Sequence, residues 1–251
     1  MRKLGLQSLL VALAVVLSGA CSLDNSTGPT ANHEKGRSIL FVGNSLTYVN
    51  DLPAVLAALA DSAYGEKLDV QSVAFPDYAL EDHWTEGSAL AAIRRGGWEV
   101  VILQQGSSAL PESRVNLRQW TANFAAEIRK TNGKPGLYMV WPTADRQFDF
   151  PNVISSYTLA ASDVDGILFP VGAAWLAVWK RDSSVPLYAP DGLHPTTQAT
   201  YLAAAVIYAK LYGKSPVGLP ASLRLSTGAT LSIPTAIAAI LQAAAAEVTG
   251  T

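Results

Sequence analysis

The stretch ILFVGNSLT, residues 39–47, determines the fold class more than any other part of the chain. It begins with four apolar residues that have the length and β-branched character of a buried strand. A helical pattern starts soon afterwards at Leu52, with capping residues just ahead of it and Pro53 in its first turn. Ser45 therefore lies in a strand-to-helix connection, where open α/β sheets bind their ligands.

Strand-like and helical patterns alternate along the rest of the chain. Further short apolar runs of strand length occupy residues 68–74, 100–103, 137–141 and 167–169. Helical periodicity covers residues 52–64, 80–95, 112–130, 150–163, 171–180, 196–211 and 233–248. Five short strands separated by helices favour a mostly parallel sheet that is covered on both faces. We therefore predict an α/β fold whose function lies at the carboxyl ends of its strands.

Composition limits the number of domains and the classes of partner. The chain has 251 residues, of which 49% are hydrophobic and 15% charged, enough for one sizeable α/β domain and short for two. We place this domain at residues 37–251. The formal net charge is −2 and no long basic run occurs, so the sequence gives no indication of nucleic-acid binding.

Residues 1–20 have the pattern of an export signal. Arg2 and Lys3 give a positive start, residues 9–17 form an apolar core, and small residues precede Cys21. The apolar core is too short for a comfortable membrane-spanning helix. We therefore expect the protein to be exported.

Cys21 is the single cysteine of the chain, which excludes an intramolecular disulfide. Its position after small residues resembles a bacterial lipobox, whose cysteine becomes lipid-modified, although Ser18 stands where that motif usually has leucine. Residues 21–36 are polar and predict a flexible tether. We expect a lipid anchor at Cys21 on the bacterial cell envelope; ordinary signal cleavage, giving a periplasmic or secreted protein, is the alternative.

The second informative stretch is DGLHP, residues 191–195. An aspartate three residues before a histidine, just ahead of a helix, can direct both side chains into one crevice. Asp191 would then accept a hydrogen bond from one imidazole nitrogen of His194 and leave the other facing a substrate. Such a histidine can take a proton from a serine hydroxyl and return it to a leaving group.

Together, GNSL at residues 43–46 and DGLH at residues 191–194 resemble the first and last motif blocks of the SGNH (GDSL-type) hydrolases. The resemblance covers residues 37–212 and implies a flavodoxin-like three-layer α/β/α sandwich around a five-stranded, mostly parallel sheet. It also implies that Ser45 is the nucleophile, His194 the general base and Asp191 its orienting partner, with no cofactor. The α/β-hydrolase fold is rejected because its serine lies in a Gly-x-Ser-x-Gly elbow deep in the chain.

The anion-stabilising part of the site matches the family less closely. The family's second block supplies a glycine N–H; here the equivalent stretch AFPDYAL, residues 74–80, lacks glycine, so Asp77 would donate beside the N–H of Ser45. The third block normally supplies an asparagine side chain. Gln104 is the preferred replacement, Gln105 the second choice, and alignment on the following glycine would put Ser108 there.

Other residues receive weaker predictions. Asn44, next to the nucleophile, and Trp141, at a strand end, are candidate substrate-binding residues. Trp175 and Trp179 are four residues apart on a helix and fit packing better. Residues 81–83, Glu-Asp-His, fit a solvated helix start better than a metal site, and no metal is expected.

The predicted function is hydrolysis of a carboxylic ester by an exported serine esterase. A carbohydrate or other small-molecule ester, including an acetylated sugar, is the expected substrate; relatives also cleave lipid esters and thioesters. Two alternatives remain open: an acyltransferase on the same site, and a catalytically silent, lipid-anchored binding protein.

Overall fold

The computed structural model describes residues 37–65 and 67–251. The strands of its main sheet are β1 (Arg37–Gly43), β2 (Leu68–Ala74), β3 (Val100–Leu103), β4 (Lys134–Tyr138) and β5 (Ile167–Phe169). They pair in the order β2-β1-β3-β4-β5, and every pair is parallel. The predicted export signal, Cys21 and the tether lie outside the described residues and stay predictions.

Helices surround this sheet. They are α1 (Ser45–Tyr48), α2 (Leu52–Tyr64), α3 (Leu80–Glu86), α4 (Ser88–Arg95), α5 (Pro111–Lys130), α6 (Phe150–Asp163), α7 (Val171–Arg181), α8 (Thr197–Tyr212) and α9 (Thr235–Thr249). One group joins α2, α7, α8 and α9 through mutual contacts, and a second joins α3, α4, α5 and α6. The two groups meet where α6 contacts α7. The predicted α/β sandwich is confirmed.

The core follows from the apolar runs seen in the sequence. Residues 39–42 of β1 and the whole of β3 are buried, as expected for central strands covered on both faces. Helix α8 is buried along almost its entire length because α2, α7 and α9 pack around it. A helix that is apolar all round is typical of such an interior position.

The order of the strands fixes where a ligand site lies. The chain runs from β1 to β2 on one side and then crosses to β3 on the other side of β1. In open α/β sheets, the crevice beside the carboxyl ends of strands at such a reversal is the usual ligand site. Ser45 follows β1, and Gln104 follows β3, so both lie at this point.

Three elements differ from the sequence prediction. Strand β4 spans Lys134–Tyr138 and not residues 137–141, because its pairing with the four-residue β3 ends where Leu137 faces Leu103. The helix predicted over 80–95 is two helices, since Gly87 adopts a left-handed φ of 94° between them. The pattern also missed a short antiparallel hairpin of β6 (Ser222–Arg224) and β7 (Thr230–Ser232).

Across residues 37–65 and 67–251, no helix combines the length and the apolar character needed to cross a membrane.

Candidate active site

Ser45 is the first residue of α1 and directly follows the end of β1. Asn44 caps this short helix with extended backbone, and its Oδ1 accepts a hydrogen bond from the Leu46 N–H at 3.1 Å. As the first helical residue, Ser45 has no partner within the helix for its own N–H. Ser45 is 8% exposed and lines a cavity of about 750 Å³. The turn therefore places at this cavity a serine whose N–H has no recorded acceptor among the described residues.

The cavity is built at the carboxyl ends of four strands. The loops after β1, β2 and β3 and the first turns of α5 provide most of its wall, and the connection after β4 adds one residue. Its lining consists of residues 44–46, 77–79 and 105–110 together with Glu112, Ser113, Asn116, Arg146 and Leu193. This is the position that the strand order predicts for a ligand crevice.

Asp191 and His194 form the hydrogen bond that the sequence predicts. Asp191 Oδ2 lies 2.6 Å from His194 Nδ1, and Oδ1 accepts from the backbone N–H groups of Leu193 and His194 at 2.9 Å each. Because a carboxylate only accepts, Nδ1 donates, which leaves Nε2 as the unprotonated nitrogen of a neutral ring. The hydrogen bond from His194, reinforced by the two backbone donors, lowers the pKa of Asp191 to about 2. The carboxylate is therefore charged at neutral pH.

Trp141 is buried, and it supports the loop of Asp191 and His194 through a hydrogen bond to Leu193. It is 1% exposed, its ring stacks on Trp175 with 3.9 Å between centroids, and its Nε1–H donates to the Leu193 carbonyl at 3.0 Å. The structure thus does not support the predicted substrate contact of Trp141, because the ring is covered by the protein. The predicted packing role of Trp175 agrees with its complete burial.

Ser45 and His194 come from opposite ends of the chain. Leu193, next to His194, lines the same cavity as Ser45. Within the described residues, the structure records no hydrogen bond between the Ser45 hydroxyl and His194. Hydrogen bonds of this kind often tighten only when a substrate is bound. Asp191 and His194 are hydrogen-bonded to each other beside Leu193, and the assembly of these two residues with Ser45 into one catalytic site stays a prediction.

Comparison with known proteins agrees with this architecture. The sequence matches no protein-family model and no curated protein. A solved structure of a candidate SGNH hydrolase from Slackia heliotrinireducens has 26% identity and a TM-score of 0.59, with the match covering 70% of this chain and 99% of that one. A DUF4886 family protein from Bacteroides uniformis has 17% identity and a TM-score of 0.69 over 84% of this chain and 94% of its own.

A third similar structure is a catalytic mutant of an acetylxylan esterase from Geobacillus stearothermophilus, with 13% identity and a TM-score of 0.52. The match covers 74% of this chain and 95% of that chain. The chain has the SGNH hydrolase fold. The Slackia heliotrinireducens structure supports the superfamily that the two sequence motifs indicate.

Asp77 stands where the SGNH resemblance expects a glycine, and its backbone explains why. Its φ is 60°, in the left-handed region that glycine adopts freely and that aspartate tolerates better than most residues. Asp77 lines the cavity, and its N–H has no hydrogen-bond acceptor among the described residues. Among the described residues no acceptor is recorded for the N–H groups of Ser45 and Asp77, and their role as anion donors stays a prediction.

The amide of Gln104 is used within the fold and does not face the cavity. Its Oε1 accepts from the Asn44 N–H at 2.9 Å and from the Thr47 hydroxyl at 2.7 Å, and its Nε2 donates to Asn44 Oδ1 and Gln105 O. The side chain is fully buried and does not line the cavity. Because both amide protons are used within the fold, the structure does not support Gln104 as an oxyanion donor. It instead holds the turn that carries Ser45.

Gln105 lines the cavity, but its side-chain amide also forms hydrogen bonds with residues of neighbouring loops and helices. Its Oε1 accepts from the Leu80 N–H at 3.1 Å, and its Nε2 donates to the Ser108 hydroxyl at 2.9 Å and, more weakly, to Asn116 at 3.5 Å. Gln105 thus ties the loop after β3 to α3. The Ser108 hydroxyl, the third alternative, in turn donates to the Gly106 carbonyl.

The side-chain amide of Asn44 also forms hydrogen bonds within the protein. Its Oδ1 accepts from Leu46 and Gln104, and its Nδ2 donates to the Tyr78 carbonyl at 3.1 Å. These contacts make Asn44 a link between the loops after β1 and β2; it also lines the cavity, and its predicted role in substrate binding stays a prediction.

His83 is a buried residue and not part of the solvated helix start that the sequence suggests. Its Nε2 lies 2.8 Å from the Gly43 carbonyl, while Nδ1 has no hydrogen-bond partner among the residues that the structure describes. The rings of Phe75 and Tyr78 pack beside it. Burial lowers the pKa of His83 below 6.5, so its neutral form is favoured. In the described residues, no group of three or more metal-ligating side chains comes together.

Three residues that line the cavity lie outside the motifs of the sequence: Ser107, Glu112 and Arg146. Ser107 follows the end of β3, a position that could have identified it. Glu112 lies in the first turn of α5, and Arg146 in the connection after β4, where no local pattern distinguishes a cavity residue from a solvated one.

Proposed function

We propose that the protein is a serine esterase with Ser45 as nucleophile. The observation that carries this proposal is the hydrogen-bonded Asp191–His194 pair, which adjoins Leu193 in the chain, a residue that lines the same cavity as Ser45. In the proposed reaction, His194 Nε2 removes the proton of the Ser45 hydroxyl as its oxygen attacks the ester carbonyl. Asp191 keeps the imidazole in the required tautomer and stabilises its charged form.

The negative charge on the tetrahedral intermediate would be stabilised by backbone donors. Ser45 and Asp77 both line the cavity, and no acceptor for their N–H groups is recorded among the described residues. His194 then gives its proton to the leaving alcohol, which yields an acyl-enzyme. Water deprotonated by His194 attacks this ester, releases the acid and restores the serine.

We further propose that the substrate is a short-chain ester of a carbohydrate. The cavity lining includes hydroxyl, amide and charged side chains, and no hydrogen bond or ion pair of the Ser107 hydroxyl or the Glu112 carboxylate is recorded among the described residues. Both groups can form hydrogen bonds with the hydroxyls of a carbohydrate alcohol. The structural likeness to an acetylxylan esterase supports the same substrate class.

The proposal is tested with the purified domain, residues 37–251, and its Ser45→Ala variant. We expect the wild-type protein to hydrolyse p-nitrophenyl acetate and to be labelled by a fluorophosphonate, and the variant to lose both properties. Ser107→Ala is a matched control, because it removes a hydroxyl from the same cavity and should leave labelling intact. If the wild-type protein shows no turnover and no labelling, the esterase proposal is refuted and a ligand-binding protein is favoured.

A nucleophilic alcohol in the assay separates hydrolysis from acyl transfer. An esterase releases acetate in equal amount to p-nitrophenol at every alcohol concentration, whereas an acyltransferase diverts the acetyl group to the alcohol. A panel of acetylated sugars against longer acyl esters then tests the carbohydrate preference.

Export and lipid attachment at Cys21 are part of the proposal. They place the domain at the cell envelope, where polymeric carbohydrate esters are accessible. Metabolic labelling with an alkyne fatty acid should mark the full-length wild type and not Cys21→Ser. Labelling of both forms equally would refute the anchor at Cys21 without bearing on the esterase.

A further inference from the structure

Arg146 and Phe148 lie in the six-residue segment Ala144–Asp149, which follows β4 and forms a 3₁₀ helix. We propose that this pair is a subsite for the alcohol part of the substrate, and that it binds a neutral sugar ring. The inference rests on the proposed function, since it specifies what the leaving group of the esterase is.

The segment is attached to the loop that carries the catalytic pair. The Ala144 N–H donates to the carbonyl of Gly192 at 2.8 Å, and Gly192 lies between Asp191 and His194. In the proposed reaction, His194 protonates the departing alcohol, so the alcohol must leave on the side of this loop. A binding group on Ala144–Asp149 therefore adjoins the alcohol and not the acyl part of the ester.

Arg146 is held rigidly at the cavity wall. Its Nε and Nη2 both donate to Oδ2 of Asp149, a carboxylate that is almost completely buried. No hydrogen bond is recorded for Nη1, and Arg146 is among the residues that line the cavity. A guanidinium fixed in this way offers directed N–H donors at little cost in side-chain entropy.

The charges around Arg146 favour a neutral ligand over an anionic one. Asp149 already compensates the guanidinium, and the other charged residues of the cavity lining, Asp77 and Glu112, are acidic. A carboxylate on the substrate would be repelled by these acids. Sugar hydroxyls can instead accept from Arg146 and donate to Glu112.

Phe148 supplies an aromatic surface beside this donor. It is 71% exposed, and the guanidinium carbon of Arg146 lies over its ring at 5.3 Å from the centroid. The contact with Arg146 orients the ring next to the cavity wall. An exposed phenyl ring packs favourably against the apolar C–H face of a sugar, while the donor and acceptor groups meet the hydroxyls at its edge.

The test compares kcat/KM for an acetylated xylooligosaccharide with kcat/KM for p-nitrophenyl acetate. We expect Phe148→Ala to lower the ratio of these two constants about tenfold, and Phe148→Trp to restore it. Val217→Ala is the matched control, because Val217 is 62% exposed in the turn between α8 and β6 and outside the cavity lining. An unchanged ratio in Phe148→Ala across acetylated neutral sugars would overturn the subsite.

A second arm measures binding without catalysis. Titration of xylooligosaccharide into Ser45→Ala and into Ser45→Ala/Phe148→Ala should show about tenfold weaker binding in the double variant. If the wild type also shows no turnover, Phe148-dependent binding would support the subsite and reject the esterase. Preference of the wild type for an acetylated uronic acid, lost in Arg146→Gln, would overturn the assignment of a neutral sugar.

Discussion

Replacing Gln104 with leucine tests whether its amide holds the turn that carries the nucleophile. Leucine keeps most of the side-chain volume but leaves the Asn44 N–H and the Thr47 hydroxyl, both in buried residues, without their acceptor. A buried donor that loses its partner costs about 1–3 kcal/mol. We therefore expect the free energy of unfolding to fall by about 2–5 kcal/mol, measured by urea denaturation.

The loss should be partly reversible by a second substitution. Thr47→Val removes the orphaned hydroxyl, so the double variant Gln104→Leu/Thr47→Val should recover about 1 kcal/mol relative to the sum of the single variants. Gln119→Leu on the exposed face of α5 is the control for replacing a glutamine, and should change the free energy of unfolding by less than about 0.5 kcal/mol.

Activity distinguishes the two roles of Gln104. If its amide donated to the anion, Gln104→Leu would remain stable and lose about two to three orders of magnitude in kcat. An unchanged free energy of unfolding together with such a rate loss would refute our reasoning. Loss of stability, with activity that follows the folded fraction, would support it.

Three further predictions concern single residues. Asp191→Asn keeps an acceptor for the backbone N–H groups but turns amide protons toward the imidazole, so kcat should fall by up to about 10⁴ with little change in melting temperature; an unaffected kcat would exclude the orienting role. Burial lowers the pKa of His83 in the folded protein, so as the pH falls the unfolded chain binds a proton before the folded one does. The contribution of His83 to the free energy of unfolding is therefore complete above about pH 6.5 and declines below it. His83→Gln should flatten this decline between about pH 7.5 and 5.5, measured by urea denaturation at each pH. Asp77→Gly should preserve kcat because the N–H remains, whereas Asp77→Val should lose about 1–3 kcal/mol at φ 60°; a large rate loss in the glycine variant would assign function to the carboxylate.

Much of the fold could be predicted because its signals are local. The run Ile39–Val42 and the whole of β3 are apolar in sequence and central in the sheet, and the helix boundaries at Leu52 and Phe150 match the pattern. The predicted bounds of β4 differ from the observed ones by three residues, because an apolar run does not show where pairing with the neighbouring strand stops. The hairpin of β6 and β7 was missed because its strands have only three residues each.

In the candidate site, too, local features could be predicted from the sequence and contacts between distant segments could not. Asp191 and His194 are three residues apart, so their hydrogen bond and the backbone donors that fix it depend on a short local turn that the sequence shows. The partners of Gln104 are about sixty residues away at the end of β1, and residue type alone cannot show whether an amide faces a cavity or another loop.

The sequence by itself determined the alternating α/β architecture, the position of Ser45 after the first strand, and the Asp191–His194 pair, because short-range spacing and apolar periodicity encode each of them. Only the tertiary structure decided that Gln104 supports the nucleophile turn, that Trp141 lies beneath the histidine loop, and that Arg146 lines the cavity. The physical reason is that burial and hydrogen bonding of these side chains depend on segments far apart in the chain, which only the packed sheet brings together.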